Sequence, residues 1–351
     1  MLDSAKAPEL DLVSVIIPCH NIAKYSANLD AIFQQTYKEI EVILIDDKST
    51  DNTWDELQSF QQKYQDKRVI IHRNEVNLRA GKTRDLGVKI SSGRFICFWD
   101  VDDQIEPNFI EKMLLKLNQE QSDFVCCGYR LYRDNSDEQV FLIRDQLLSA
   151  SSIYELHKLV FKFYVMPWNK LIRRDFLVNN HIEFPDLYCS EDVFWNLQLV
   201  LKAKAISFVN EPLYNYFQRQ NTLSTSVNDK VLASILSTLV LEYEYFQNLN
   251  NDELSAIWRD YCSIKVCHYW EIFRVDDNLL KQFAQKFYSL SQAYGIKMEH
   301  QKIPVWACVR WYRLIPLKKM RMKLKQQFYH YDSIRRRNLV YTNLLRLAEQ
   351  C

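Results

Sequence analysis

Apolar positions in the first hundred residues cluster into short, nearly continuous β-branched runs: Val13-Ser14-Val15-Ile16-Ile17, Val42-Ile43-Leu44-Ile45, Val69-Ile70-Ile71 and Phe95-Ile96-Cys97-Phe98. Runs with little polar alternation belong to strands covered on both faces. Amphipathic stretches near 24–36, 53–65 and 81–91 lie between them and read as helices. Strand and helix repeating at this pitch predict right-handed βαβ units, hence an α/β fold with a mainly parallel sheet flanked by helices. In such sheets ligands bind beyond the carboxyl ends of the strands.

The residues at those ends are Pro18-Cys19-His20-Asn21, then Asp46-Asp47-Lys48-Ser49-Thr50-Asp51, then Asp100-Val101-Asp102-Asp103. Two of the three clusters are densely acidic. Gathering so many carboxylates is costly unless a cation neutralises them, and a hard divalent ion is the simplest to expect. From Ser122 to about Thr225 the pattern is mixed, with a strand-like Phe124-Val125-Cys126-Cys127, a helix near 150–163 and a helix opened by Ser190-Glu191-Asp192. Beyond about Ser226 nearly everything reads helical, with aromatics at helical spacing such as Tyr243 and Phe246, or Tyr269 and Phe273. The expected division is an α/β domain over 1–228 and a helical region over 229–351.

Composition narrows the classes. The 351 residues are 48% hydrophobic and 25% charged with a net charge of +1, which excludes a disordered or acidic-tail protein. Only five glycines occur, and neither GxGxxG nor GxxxxGK[ST] is present, so a glycine-rich phosphate loop is excluded. Nine scattered cysteines without a CxxC pair suit reduced, mostly buried thiols. The amino terminus has no apolar signal region, and no stretch reaches the ~18–20 apolar residues needed to span a bilayer. A cytoplasmic protein is the expectation.

Seven segments, in order, resemble the inverting glycosyltransferases of family 2: Val13 to Asn21, Asp46 to Thr53, Gly81 to Asp85, Gly93 to Asp103, Trp168 to Arg173, Ser190 to Trp195 and Leu213 to Ser224. The resemblance implies a GT-A nucleotide-sugar-binding fold over roughly the first 225 residues. Asp100-Val101-Asp102-Asp103 resembles the family's DxD signature, which implies Mg²⁺ or Mn²⁺ held by Asp103, with Asp102 at the ribose or the metal and Asp100 nearby. The same acids would also suit the start of a helix near Pro107. Asp46-Asp47 resembles the family's DDGS turn, which implies a nucleobase contact from Asp47. Lys48 replaces the family's glycine and leaves the left-handed backbone of that turn open. Thr53 and Glu56 have capping-box spacing. Pro18, His20 and Asn21 would line the base, His20 standing where the family has a tyrosine, and Arg84 would steady the nucleotide or the acidic cluster, or lie in a surface ion pair.

Ser190-Glu191-Asp192 resembles the family's ED motif. That implies Asp192 as the base for the acceptor hydroxyl and Glu191 as its partner, while a Ser-capped acidic first turn reads equally well from the residues alone. Trp168, Asn169, Lys170 and Arg219 fall in acceptor-side segments, where core packing competes with sugar binding. Between Lys302 and Arg346 twelve lysines and arginines face one acid, Asp332, with tryptophans and leucines interleaved. That pattern suits a helix lying on an anionic membrane, on the inner face for a cytoplasmic protein, ahead of a solvated face and of nucleic acid. The expected activity is transfer of a sugar from a UDP-linked donor to a glycan or lipid-linked acceptor in cell-surface polysaccharide or lipooligosaccharide synthesis. Nucleotidyl transfer, or a glycan- or membrane-binding module without turnover, are the alternatives.

Overall fold

The computed structural model describes residues 11–133, 138–219, 226–273, 275–293 and 340. The basic segment between Lys302 and Arg346 lies, apart from Val340, outside them. The chain divides into two compact units, with the break between Thr225 and Ser226.

Among the described residues of the first unit nine strands form one sheet. They are β1 (Val13–Cys19), β2 (Ile40–Asp46), β3 (Arg68–Arg73), β4 (Phe95–Phe98), β5 (Gln104–Ile105), β6 (Phe124–Arg133), β7 (Glu138–Phe141), β8 (Lys170–Arg173) and β9 (Ile206–Gln218). The order is β3-β2-β1-β4-β8-β6-β9-β5, with β7 beside β6. β3, β2, β1 and β4 are parallel, as the hydrophobic runs predict, and every residue of β2 and β4 is buried. Beyond β4 the sheet is mixed: β8 runs antiparallel to β4 and β6, whereas β6 and β9 are parallel. The parallel expectation therefore holds only for the first half, where the βαβ repeat exists.

The intervening helices are α1 (Thr53–Lys63), α2 (Arg79–Ile90), α3 (Phe109–Gln119), α4 (Asp145–Leu148), α5 (Ile153–Lys158), α6 (Arg174–Asn179) and α7 (Glu191–Lys202). The stretch near 24–36 is 3₁₀ rather than α-helical, over Ala23–Gln34; its buried residues Leu29 and Ile32 are three apart, the spacing that a three-residue turn stacks. The helix expected near 150–163 breaks into α5 and a 3₁₀ turn over Val160–Lys162.

Aromatic packing fixes α7 against the sheet. Trp195 stacks on Phe184 with centroids 4.7 Å apart, and both meet the edge of Phe98 from β4. Each such pair contributes ~0.5–1.5 kcal/mol beyond its buried area. The first turn of α7 is thereby tied to the end of β4.

The second unit packs α8 (Asp229–Asn248), α9 (Asp252–Phe273) and α10 (Asp277–Ala293) around Leu232, Phe246, Trp258, Phe273 and Phe283. Asn228 caps α8 by accepting from the Val231 N–H at 3.0 Å. Among the described residues no helix is long and apolar enough to cross a membrane.

Candidate active site

The acidic and amide residues that follow β1, β2 and β4 come together at one edge of the sheet. Asp47 closes the β2 turn: its N–H donates to Cys19 O at 2.7 Å, and its Oδ1 accepts from Asn74 Nδ2 and the Leu78 N–H, both at 2.7 Å. Its Oδ2 has no hydrogen-bond partner among the described residues. One oxygen thus anchors the side chain and the other remains available to a ligand. Asp46 differs, being fully buried with Oδ1 accepting from the Ser49 N–H at 2.8 Å and Oδ2 2.9 Å from Arg73 Nε. It braces the turn through the Ser49 N–H and Arg73.

His20 and Asn21 are exposed at this rim, beside the half-buried Pro18. His20 Nδ1 lies 3.0 Å from Asp47 O, and Asn21 Oδ1 accepts from the Thr50 N–H at 2.9 Å. Lys48 does adopt the left-handed conformation, at φ 61°. Asn21 (φ 55°), Arg79 (φ 66°) and Ser190 (φ 60°) do so too, at the first turn after β1 and at the starts of α2 and α7. A chain with five glycines places strained non-glycine residues at these junctions, each costing on the order of 1–3 kcal/mol, and such strain gathers at functional sites.

Capping is rearranged by the same geometry. Thr53 and Glu56 form no capping box: Thr53 N–H donates to Asp51 Oδ1 at 3.0 Å, and Glu56 accepts from Ser26. Ser190 gives α7 no side-chain cap, because its left-handed backbone departs from the extended conformation a capping serine needs.

The loop after β4 carries three carboxylates in different states. Asp103 is 1% exposed; its Oδ1 accepts from the Phe217 N–H at 2.8 Å and its Oδ2 from the Tyr214 hydroxyl at 3.0 Å. Burial, then Asp100 and Asp102, hold its carboxyl well above the usual range. Asp102 is more open, its side chain 38% exposed, and pairs with Arg219 at 2.6 Å. Asp100 accepts from Arg84 Nη2 at 2.7 Å. Tyr214 ties the loop together, accepting from the Asp100 N–H at 3.3 Å as well as donating to Asp103.

Arg84 is no surface residue. It is 5% exposed, lies over the Phe184 ring, and reaches Asp100 with Nη2 and Glu191 Oε1 with Nη1 at 3.6 Å. Its Nε is buried without a hydrogen-bond partner. Gly81 permits this closeness, since a Cβ there would stand 2.8 Å from Glu191 Cγ. The loop after β4 and the start of α7 are thus joined through one guanidinium.

Glu191 and Asp192 are partly buried in the first turn of α7. Burial pushes Glu191 up to about 7, with Asp192 adding to the rise and Arg84 opposing it. Burial also raises Asp192, against Arg84 and Lys170. A carboxylate that holds its proton more tightly than usual is a stronger base once ionised.

Three of the four residues expected on the acceptor side are packed into the fold. Trp168 is 3% exposed and stacks on Tyr214 at 4.1 Å, Asn169 donates to Cys127 O at 2.9 Å, and both Asn169 and Lys170 are fully buried. None of the three offers an edge to an acceptor. Arg219 turns to Asp102 and the Tyr25 ring, on the side of the β4 loop. Asn74 and Tyr214 were not anticipated. Asn74 follows β3 as the other polar clusters follow their strands, so the strand-end rule points to it; Tyr214 shows no signal beyond membership of a resembling segment.

Residues 14–180 match the family model described as glycosyl transferase family 2. A cholesterol galactosyltransferase of Borreliella burgdorferi is 28% identical over 260 residues, covering 68% of this chain and 70% of its own. The WfaP glucosyltransferase of Escherichia coli, UDP-Glc:alpha-D-GlcNAc-diphosphoundecaprenol beta-1,3-glucosyltransferase, is 29% identical over 220 residues, covering 62% of this chain and 81% of its own. Among solved structures, Staphylococcus aureus TarS 1-349 in complex with UDP superposes with a TM-score of 0.61 at 21% identity, covering 94% of this chain and 90% of that one. At that identity the likeness is one of fold.

Proposed function

The chain carries a glycosyl transferase family 2 domain, and from that premise we propose that it moves one sugar from a UDP-linked donor to a hydroxyl of a glycan or lipid-linked acceptor, with inversion at the anomeric carbon. The observation that carries this reading is Arg84, which binds the acidic loop after β4 and the Glu191-Asp192 pair into one charged unit. A donor-binding edge and a base then share a single frame, as displacement at one carbon requires.

In this reading the free Oδ2 of Asp47 accepts an N–H of the nucleobase while His20 and Asn21 line its rim. Asp192 takes the proton of the acceptor hydroxyl as that oxygen bonds to the anomeric carbon, and the bond to the diphosphate breaks on the opposite face. Glu191, held by Arg84, keeps its neighbour in place.

The β4 loop fits a divalent ion of the Mg²⁺ or Mn²⁺ kind. Asp102 is open to solvent and already faces a cationic group, Arg219, while no cluster of three or more potential ligands exists among the described residues. One or two carboxylates completed by substrate phosphate is how such ions are commonly held. Asp102 would be the ligand, whereas both oxygens of Asp103 are engaged inside the loop. When bound, the ion offsets negative charge developing on the departing diphosphate.

Asp192→Asn tests the assignment. It is expected to lower kcat by ~10²–10⁴ while leaving UDP-sugar affinity, measured calorimetrically, unchanged. Near-normal transfer by this variant would remove Asp192 as the base.

A further inference from the structure

Arg219 follows β9 and clamps Asp102 at two points. Its Nη1 donates to Asp102 Oδ2 at 2.6 Å, and its Nη2 donates to the main-chain carbonyl of the same residue. Nη1 also donates to Phe217 O at 3.1 Å, and the guanidinium lies 4.7 Å from the centre of the Tyr25 ring. A planar fork matched to two oxygens and steadied on an aromatic face is held more firmly than a lysine would be.

Both clamped oxygens are hard donors, and one belongs to the carboxylate read above as the ligand of a divalent ion. An ion arriving at Oδ2 would meet the guanidinium at contact distance, where like charges repel, and would find the carboxylate already neutralised. Release of the clamp needs only a side-chain rotation. The Phe217 N–H donates to Asp103 Oδ1 at 2.8 Å, which fixes the main chain just upstream, while the Arg219 and Asp102 side chains are 27% and 38% exposed. A diphosphate brings several negative charges in a form that a guanidinium fork matches, so it can draw Arg219 off Asp102 where a bare cation cannot.

We propose that Arg219 guards the metal ligand: in the nucleotide-free protein it holds Asp102 against divalent cations, and the diphosphate of the donor releases it, so that ion and donor load together. The proposal rests on the reading of Asp102 as the ligand. Contact, and not charge alone, is the device.

Lys24 separates the two, because its ammonium lies 4.6 Å from the same Tyr25 ring yet forms no ion pair with Asp102 among the described residues. Mn²⁺ retained by the full chain is measured by equilibrium dialysis, first without nucleotide. Arg219→Gln should bind Mn²⁺ about fivefold more tightly or better, whereas Lys24→Gln, which removes a nearby charge and leaves the clamp, should gain much less. Adding UDP should then tighten Mn²⁺ more in wild type than in Arg219→Gln. Unchanged or weaker binding in Arg219→Gln, an equal gain in Lys24→Gln, or an equal effect of UDP in both chains overturns the proposal. Asp102→Asn tells its failure from that of its premise. If that variant loses UDP-dependent Mn²⁺ binding while Arg219→Gln gains nothing, the ligand stands and the guard falls; if it binds Mn²⁺ with UDP as wild type does, the ligand reading itself is removed.

Discussion

Among the described residues two lysines are buried, one in each unit, and they solve the same problem in opposite ways. Lys265 of the helical unit is 6% exposed and meets the fully buried Glu242, which also accepts from Trp258 Nε1 at 3.3 Å. Burial works to lower its affinity for a proton, and Glu242 more than offsets that, leaving it raised. Lys170 has no such carboxylate, and burial leaves it lowered. A paired buried charge serves the fold. An unpaired one is met only by neutral acceptors, the carbonyls of Tyr164 and Met166 and the amide of Asn169, and pins that turn instead.

Breaking the pair in the helical unit should give the larger effect on stability. Glu242→Gln strands the Lys265 ammonium and is expected to cost ~3–5 kcal/mol in urea denaturation, without moving the pH profile of transfer. Replacing both residues, as Glu242→Leu with Lys265→Met, should recover most of that loss, since apolar residues of similar volume tolerate such positions. Undiminished stability in Glu242→Gln would erase the contrast between the two lysines. A smaller effect comes from the other side of the site. Asp47→Ala should weaken free UDP and UDP-sugar alike by ~1.5–3 kcal/mol in calorimetry, since the proposed contact is to the base. Unchanged UDP affinity would remove Asp47 from the donor site.

Much of the parallel half was legible because its signals are local. Four β-branched runs mark β1 to β4, and the polar residues after them lie at one edge, since strand direction alone dictates where a strand ends. The mixed half was less legible: β8 enters the sheet antiparallel between β4 and β6, a long-range pairing that no periodicity encodes. The site divides similarly. The turns carrying Asp47 and Asp102 could be read from type and order, whereas the depth of a side chain could not. Trp168, Asn169 and Lys170 have the chemistry of an acceptor site but are buried, while Arg84, with the look of a helix-surface charge, is buried between Asp100 and Glu191. Left-handed turns at Asn21, Lys48 and Ser190 were hidden too, because none is glycine.

The central claim is that one carboxylate, Asp192, activates the acceptor for direct displacement, with no second carboxylate attacking the sugar. The anomeric configuration of the first-formed product tests it most directly. The full chain is incubated with Mn²⁺, a glycan acceptor and a panel of UDP-α-sugars, and the anomeric proton coupling of the product is read by ¹H NMR. A β-linked product is predicted. An α-linked product, or no turnover of any nucleotide sugar, would contradict the account.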